Sequence, residues 1–149
     1  MDYHVSKTKF GEKPDFEYPK PIFIEELGEE GLKKLFNEFY DLIVDSDIGN
    51  FFPQEEEELE KVKAHNVKFF IEAAGGPKHY SETVGHFDMV KAHEPFSITE
   101  KARREWLGTM EEVLRKTDIS DEAKQSFWDF LERFSKHTVN TPVSEDFKI

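Results

Sequence analysis

The motif Gly75-Gly76-Pro77 stands at the middle of the chain and ends any helix that reaches it. Glycine is favoured just beyond the last turn of a helix, and a proline soon afterwards cannot continue the helix. Before this motif, apolar residues recur at intervals of three and four, which is the period of a helix with one buried face. The motif therefore predicts that a long amphipathic helix stops here and that the chain turns sharply.

The same periodicity predicts four long helices and no strand. They run over residues 27 to about 44, from the acidic run at 55–58 to about 74, from Ser97 or Thr99 to about 115, and from Ser120 to about 139. Acidic side chains favour a helix N-terminus, and a serine or threonine oxygen accepts the N–H groups that are free there. The predicted fold class is all-α.

Two other segments are expected to be less regular. Residues 78–94 have room only for a loop and one short helix, because Gly85 interrupts the segment and Pro95 restricts its end. Residues 1–24 contain three prolines and are expected to form an irregular arm that packs onto the domain through its aromatic side chains. Residues 25–149 are expected to form a single domain.

Composition excludes several classes of function. The formal net charge of −12, without a concentrated basic patch, argues against a nucleic-acid partner. The absence of cysteine excludes disulfides and thiolate ligands, so a bound metal must use histidine or oxygen ligands. No apolar run approaches 18 residues and the N-terminus lacks the pattern of a secretory signal, so we expect a soluble, cytoplasmic protein without a membrane partner.

The 15 phenylalanines are compatible either with an aromatic-rich core or with the lining of a flat apolar cofactor. Composition alone leaves both readings open.

A set of motifs with characteristic order and spacing narrows the interpretation. These are Phe39-Tyr40, Phe52-Pro53, Gly75-Gly76-Pro77-Lys78-His79-Tyr80, Gly85-His86, Met89, His93, Pro95-Phe96, Arg104-x-Trp106-Leu107 and His137-Thr138-Val139-Asn140. Across residues 27–141 the set resembles the truncated haemoglobins, most closely those of group II. The resemblance implies two helix pairs stacked as a 2-on-2 sandwich around a haem, with an N-terminal extension. Periodicity alone does not distinguish that arrangement from a four-helix bundle.

The resemblance implies that His93 is the axial ligand of the haem iron, because this histidine corresponds to the proximal ligand of the family. Since the chain has no cysteine, the implied cofactor is non-covalent haem b. A remote alternative is a non-haem metal site, because His79, His86 and His93 are spaced at seven and would share one face of a continuous helix. Gly85 argues against that helix.

On the opposite side of the haem, Tyr40 and Trp106 correspond to the residues that donate hydrogen bonds to the diatomic ligand. Val62 and Asn66 correspond to positions that line the pocket, with Asn66 as a third donor. A one-residue shift of this helix would instead turn His65 toward the iron, and the sequence leaves the two residues as alternatives.

The remaining implied contacts are apolar walls and partners for the haem propionates. Phe52, Phe69, Met89, Phe96 and Ile98 are expected to form an apolar cage that keeps water away from the iron. Many members of the family carry arginines just before the proximal histidine, but this chain has Val90-Lys91-Ala92. Lys91, with Lys78 as a weaker candidate, is expected to serve the propionates instead.

Two classes of function follow from the resemblance. The first is a haem protein that binds oxygen and other diatomic ligands with high affinity and turns over nitric oxide or peroxide, as a dioxygenase or peroxidase supplied by an external reductase. The second is a non-enzymatic oxygen carrier, store or gas sensor. The same residues would serve both classes, so the sequence does not decide between them.

Overall fold

The computed structural model describes residues 1–8, 11–83 and 96–141. The predictions for Met89, Lys91 and His93, and for His86 in the alternative metal cluster, lie outside the described residues. Throughout the described ranges the regular structure is helical, without a strand. The predicted all-α class agrees with this.

Five α-helices are present in the described ranges. They are α1 (Pro21–Ile43), α2 (Glu56–Ala73), α3 (His79–Thr83), α4 (Glu100–Lys116) and α5 (Asp121–Phe134), and two 3-10 turns lie at Gly49–Phe51 and Ser135–Thr138. Of the two predicted caps for α4, Thr99 is the one used, because its side chain accepts the Ala102 N–H. Ser120 likewise caps α5 by accepting the Ala123 N–H. No helix among these residues is long and apolar enough to cross a bilayer.

Helix α1 begins at Pro21, six residues before the start expected from the apolar pattern. Proline is favoured in the first turn of a helix, where its missing N–H needs no partner. The helix is interrupted at Gly28, whose φ of 73° and ψ of 167° are strained for any residue with a Cβ. The apolar periodicity is continuous only after this break, which explains why it predicts the later start.

Helix α1 lies at the centre of the domain and packs against α2, α4 and α5. Its buried face includes Phe23 and Phe36, whose rings stack on Phe127 of α5 at 4.2 Å and on Phe70 of α2 at 4.7 Å. Burying one such ring contributes about 2 kcal/mol. Much of the phenylalanine content therefore forms the helix interfaces.

The N-terminal arm lies along α5 in two extended legs. The outgoing leg follows the direction of α5: the Asp2 N–H donates to Gln125 Oε1 at 2.7 Å, and the His4 carbonyl accepts from Trp128 Nε1 at 2.8 Å. The returning leg runs the opposite way: its Pro14 carbonyl is 2.7 Å from His137 Nε2, and its Lys20 N–H donates to Ser126 Oγ at 2.6 Å.

Aromatic contacts accompany both legs of the arm. Tyr3 meets Trp128 edge-on at 5.1 Å, and Phe16 meets Phe130 at 5.7 Å and Phe134 at 5.5 Å. The arm is thus joined to the helices by side-chain packing as well as by hydrogen bonds.

Candidate ligand-binding site

Tyr40 lies in the last turns of α1 with only 3% of its surface exposed. Its ring meets Phe52 at 5.8 Å and Phe39 at 5.4 Å, both edge-on. Burial raises the pKa of the phenol to about 12, although a hydrogen bond from Asn66 acts in the opposite direction. The hydroxyl therefore keeps its proton, and its capacity to donate, throughout the neutral range.

Asn66 on α2 donates its amide N–H to the phenolic oxygen of Tyr40. Within the described chain, the O–H of Tyr40 itself has no acceptor. His65 is exposed, and its ring lies 5.1 Å from that of Tyr80. Of the two alternatives on α2, Asn66 is the one that the structure brings to Tyr40.

Trp106 is half-buried on α4, with its ring 5.1 Å from that of Phe39. Phe39 thus contacts both Tyr40 and Trp106 and links the two predicted donors. In the part of the chain that the structure describes, the indole N–H of Trp106 has no acceptor. The hydroxyl of buried Tyr40 and the indole of half-buried Trp106 thus each carry a polar hydrogen that no described residue accepts.

The predicted apolar walls are only partly assembled around these donors. Phe52 contacts Tyr40, whereas Val62 and Ile98 are half-buried at the edge of the core. Phe69 stacks on Phe134 at 5.5 Å. Phe96 is 40% exposed, and its ring is 6.0 Å from Phe51.

A model of the bacterial-like globin family matches residues 23–140. The chain belongs to this family. The group 2 truncated haemoglobin YjbI of Bacillus subtilis is 28% identical over 123 residues, which cover 82% of this chain and 91% of the relative.

Two solved structures extend this relationship. Phosphate-bound Hell's gate globin IV has a TM-score of 0.85 and 27% identity, covering 95% of this globin and 89% of its own chain. The truncated oxygen-avid haemoglobin of Bacillus subtilis has a TM-score of 0.73 and 28% identity, covering 78% and 98%. These likenesses confirm the predicted truncated-globin 2-on-2 fold. Membership of the family makes this chain a haem-binding globin that binds oxygen.

The side chains of this globin fit a haem by the chemistry of their donors. A phenol, an amide and an indole offer neutral N–H and O–H donors, which suit a small ligand that gains electron density from the iron. Phenylalanine, valine and isoleucine side chains offer apolar surface beside them. No group of three or more His, Asp or Glu side chains in the described residues is arranged to hold a bare metal ion.

Of the histidines and lysines predicted to contact the haem or a metal, three lie among residues 84–95, outside the described ranges: His86, Lys91 and His93. His79 is exposed, and its Nε2 is 3.5 Å from Glu29 Oε1. Lys78 is exposed and close enough to Glu72 to lower the pKa of that carboxyl, after the larger effect of hydrogen bonds from Ser81. Its role toward a propionate stays a prediction.

Sequence reasoning did not single out Asn140 as a site residue. Its Oδ1 accepts the Ile98 N–H at 2.9 Å, its Nδ2 donates to the Phe96 carbonyl at 2.9 Å, and its backbone N–H donates to the Ile98 carbonyl at 3.0 Å. Asn140 thereby holds the segment that carries two predicted cage residues. The only sequence signal was its place in the motif His137-Thr138-Val139-Asn140, which names no partner.

Proposed function

We propose that this globin binds oxygen and other diatomic ligands at ferrous haem b with high affinity, and that Tyr40, Asn66 and Trp106 retain the ligand. The observation that carries the proposal is the hydrogen bond from Asn66 to Tyr40. Because it occupies a lone pair of the phenolic oxygen, it orients the hydroxyl and leaves the proton of Tyr40 available to a ligand.

When bound, haem supplies a ferrous iron that takes up a diatomic ligand reversibly and makes it electron-rich. His93 is proposed as the axial ligand of that iron. The work of the other residues is to donate hydrogen bonds and to exclude water. A typical hydrogen bond contributes about 1 kcal/mol, so each donor slows ligand release by about fivefold.

The surroundings of Tyr40 strengthen this donation. The phenol is almost fully buried, and Phe39 and Phe52 lie against its ring. Hydrogen bonds gain strength where water is excluded, because the local dielectric constant is low. Phe52, Val62, Phe69 and Ile98 are proposed to supply the dry walls of the pocket, together with Phe96.

Slow release suits redox turnover better than oxygen delivery. We therefore favour an enzymatic function, the turnover of nitric oxide or peroxide with electrons from an external reductase, over a non-enzymatic function as a carrier, store or sensor. The similarity to a haemoglobin described as oxygen-avid supports the affinity part of this proposal. Electron transfer from a reductase to the purified globin would favour the enzyme, whereas fast reversible release of oxygen would favour the carrier.

The test is the absorption spectrum of the purified protein, as isolated, after dithionite reduction, and after addition of carbon monoxide. We expect a Soret band that shifts with carbon monoxide and is lost in most molecules of His93→Ala. His79→Ala, at an exposed histidine, serves as the matched control and should keep the band. A normal five-coordinate ferrous spectrum in His93→Ala would reject the axial assignment.

A further inference from the structure

Arg103 is a fully buried arginine on α4 whose five N–H donors are all engaged. Its Nε donates to Ser135 Oγ at 2.9 Å, and Nη1 donates to Glu100 Oε1 at 2.8 Å and to the Ser6 carbonyl at 3.2 Å. Its Nη2 donates to the carbonyl and to the carboxylate of Glu132. A guanidinium has five such donors, so this one is saturated.

The N-terminal arm completes this network. Ser6 supplies one of the five acceptors through its carbonyl, and its hydroxyl lies 2.7 Å from Lys136 Nζ. The Thr8 N–H donates to the carboxylate oxygen of Glu100 that Arg103 leaves free. Arg103 therefore connects α4 to α5, to the 3-10 turn that follows it, and to the arm.

Trp106 lies three residues after Arg103, about one turn further along α4. The two residues meet different neighbours: Arg103 meets the arm, α5 and the following turn, whereas Trp106 meets Phe39 of α1. The network of Arg103 thus constrains the rotation and the axial position of the part of α4 that carries the indole.

We infer that Arg103 is a positioning residue for Trp106, and that the arm residues Ser6 and Thr8 complete its constraint. The inference rests on the proposed donor role of Trp106. A hydrogen bond weakens steeply as its angle and length depart from the optimum, so a small rotation of α4 changes the rate of ligand release. Through this connection the N-terminal arm acts on the position of Trp106.

The experiment compares Arg103→Lys with Arg104→Lys in the full-length, haem-loaded protein. Lysine keeps the charge but offers three donors in another geometry, so it cannot replace the five bonds of Arg103. Arg104 is the next residue of the same helix and is exposed, which makes its substitution the matched control. We expect oxygen release to be about threefold faster in Arg103→Lys and unchanged in Arg104→Lys.

A double-mutant cycle with Trp106→Phe then separates positioning from general loosening of the protein. If Arg103 acts through Trp106, Arg103→Lys has no further effect on release once the indole is gone. Equal effects of Arg103→Lys with and without the indole would overturn the inference. If Trp106→Phe alone leaves release unchanged, the proposed donor role has failed instead, and the positioning role fails with it.

A second readout does not depend on ligand release. The indole N–H resonance of Trp106, identified by its loss in Trp106→Phe, should shift in Arg103→Lys and stay in place in Arg104→Lys, in both the apo and the haem-loaded protein. Glu100→Gln provides a milder variant, should Arg103→Lys fail to fold. Glutamine can accept from Arg103 or from Thr8 but not through both terminal atoms. An unshifted indole resonance in Glu100→Gln would contradict the inference.

Discussion

Asn66 and Tyr40 are joined by a hydrogen bond between two helices, with the asparagine amide of α2 as donor and the phenolic oxygen of α1 as acceptor. The direction of this bond matters because a phenol has one proton to give. An asparagine that accepted that proton would compete with the ligand, whereas an asparagine that donates leaves it free. The pair therefore places a buried donor with a fixed orientation in the proposed site.

Replacing Asn66 with alanine should speed oxygen release by about fivefold, because the hydroxyl of Tyr40 loses the bond that orients it and the pocket loses an amide donor. Stopped-flow displacement of oxygen by carbon monoxide measures this rate. His65→Ala is the matched control on the preceding residue, since that ring is exposed and faces Tyr80. If His65→Ala has the larger effect, the assignment of Asn66 to the ligand side is wrong.

Donation by Tyr40 should not titrate in the neutral range. Burial raises the pKa of this phenol to about 12, so the proton stays in place while ordinary tyrosines ionise near pH 10. We expect the difference in oxygen release rate between Tyr40→Phe, which releases faster, and the wild type to be constant between pH 7 and 10. A decline of this difference that begins near pH 8 would show that the phenol is far less buried in the working protein.

The same pKa fixes the sign of a stability change in the apoprotein. Below pH 10 the phenol is protonated both in the folded and in the unfolded chain, and its contribution to stability is complete. Between pH 10 and about 12 the unfolded chain releases the proton first, so the free energy of unfolding falls. Urea titrations should show a steeper alkaline loss for the wild type than for Tyr40→Phe. Parallel curves would contradict the raised pKa.

The helices were predictable because their signals are local. The starts of α4 and α5 follow from capping by Thr99 and Ser120, and the end of α2 follows from Gly75-Gly76-Pro77. The early start of α1 was not predictable from periodicity, because the break at Gly28 separates its first turns from the apolar pattern.

The candidate site could be proposed from the sequence only through the order of its motifs, and its residues stay predictions. Nothing in the spacing of α2 chooses between His65 and Asn66, since the choice depends on how α2 rotates against α1. The hydrogen-bond network of Arg103 was not predictable either, because its partners include Ser6 and Ser135, which are distant from it in the sequence. Long-range polar contacts of this kind leave no periodic pattern.

Removing the carboxylate of Glu132 should destabilise the fold strongly. Glu132 is 3% exposed and pairs with Arg103, whose side chain is fully buried, so Glu132→Ala removes one of the two carboxylates that Arg103 contacts and leaves a buried N–H without its acceptor. The loss of a buried hydrogen bond between charged groups costs about 2 kcal/mol or more. The exposed pair of Glu30 and Lys33 is the control, and Glu30→Ala should cost less than about 1 kcal/mol. Denaturant unfolding of both variants measures the difference, and similar losses would mean that the Arg103 network is hydrated.

Asn140→Ala should weaken the retention of haem. Its side chain bridges the Phe96 carbonyl and the Ile98 N–H, and at about 1 kcal/mol per hydrogen bond the substitution removes about 2 kcal/mol of local anchoring. Because Phe96 and Ile98 are proposed walls of the haem pocket, their greater freedom should speed haem loss several-fold. The rate of haem transfer to an excess of a haem-scavenging apoprotein measures this.

Asn37→Ala, at an exposed asparagine of α1, controls for the general effect of losing an amide side chain. Faster haem loss in Asn140→Ala with little change in Asn37→Ala would assign the effect to the anchored segment. Equal rates of haem loss in the two variants would show that Phe96 and Ile98 do not contact the haem. The hydrogen bonds of Asn140 would then stabilise only the fold, because they join the segment before α4 to the chain after the last 3-10 turn.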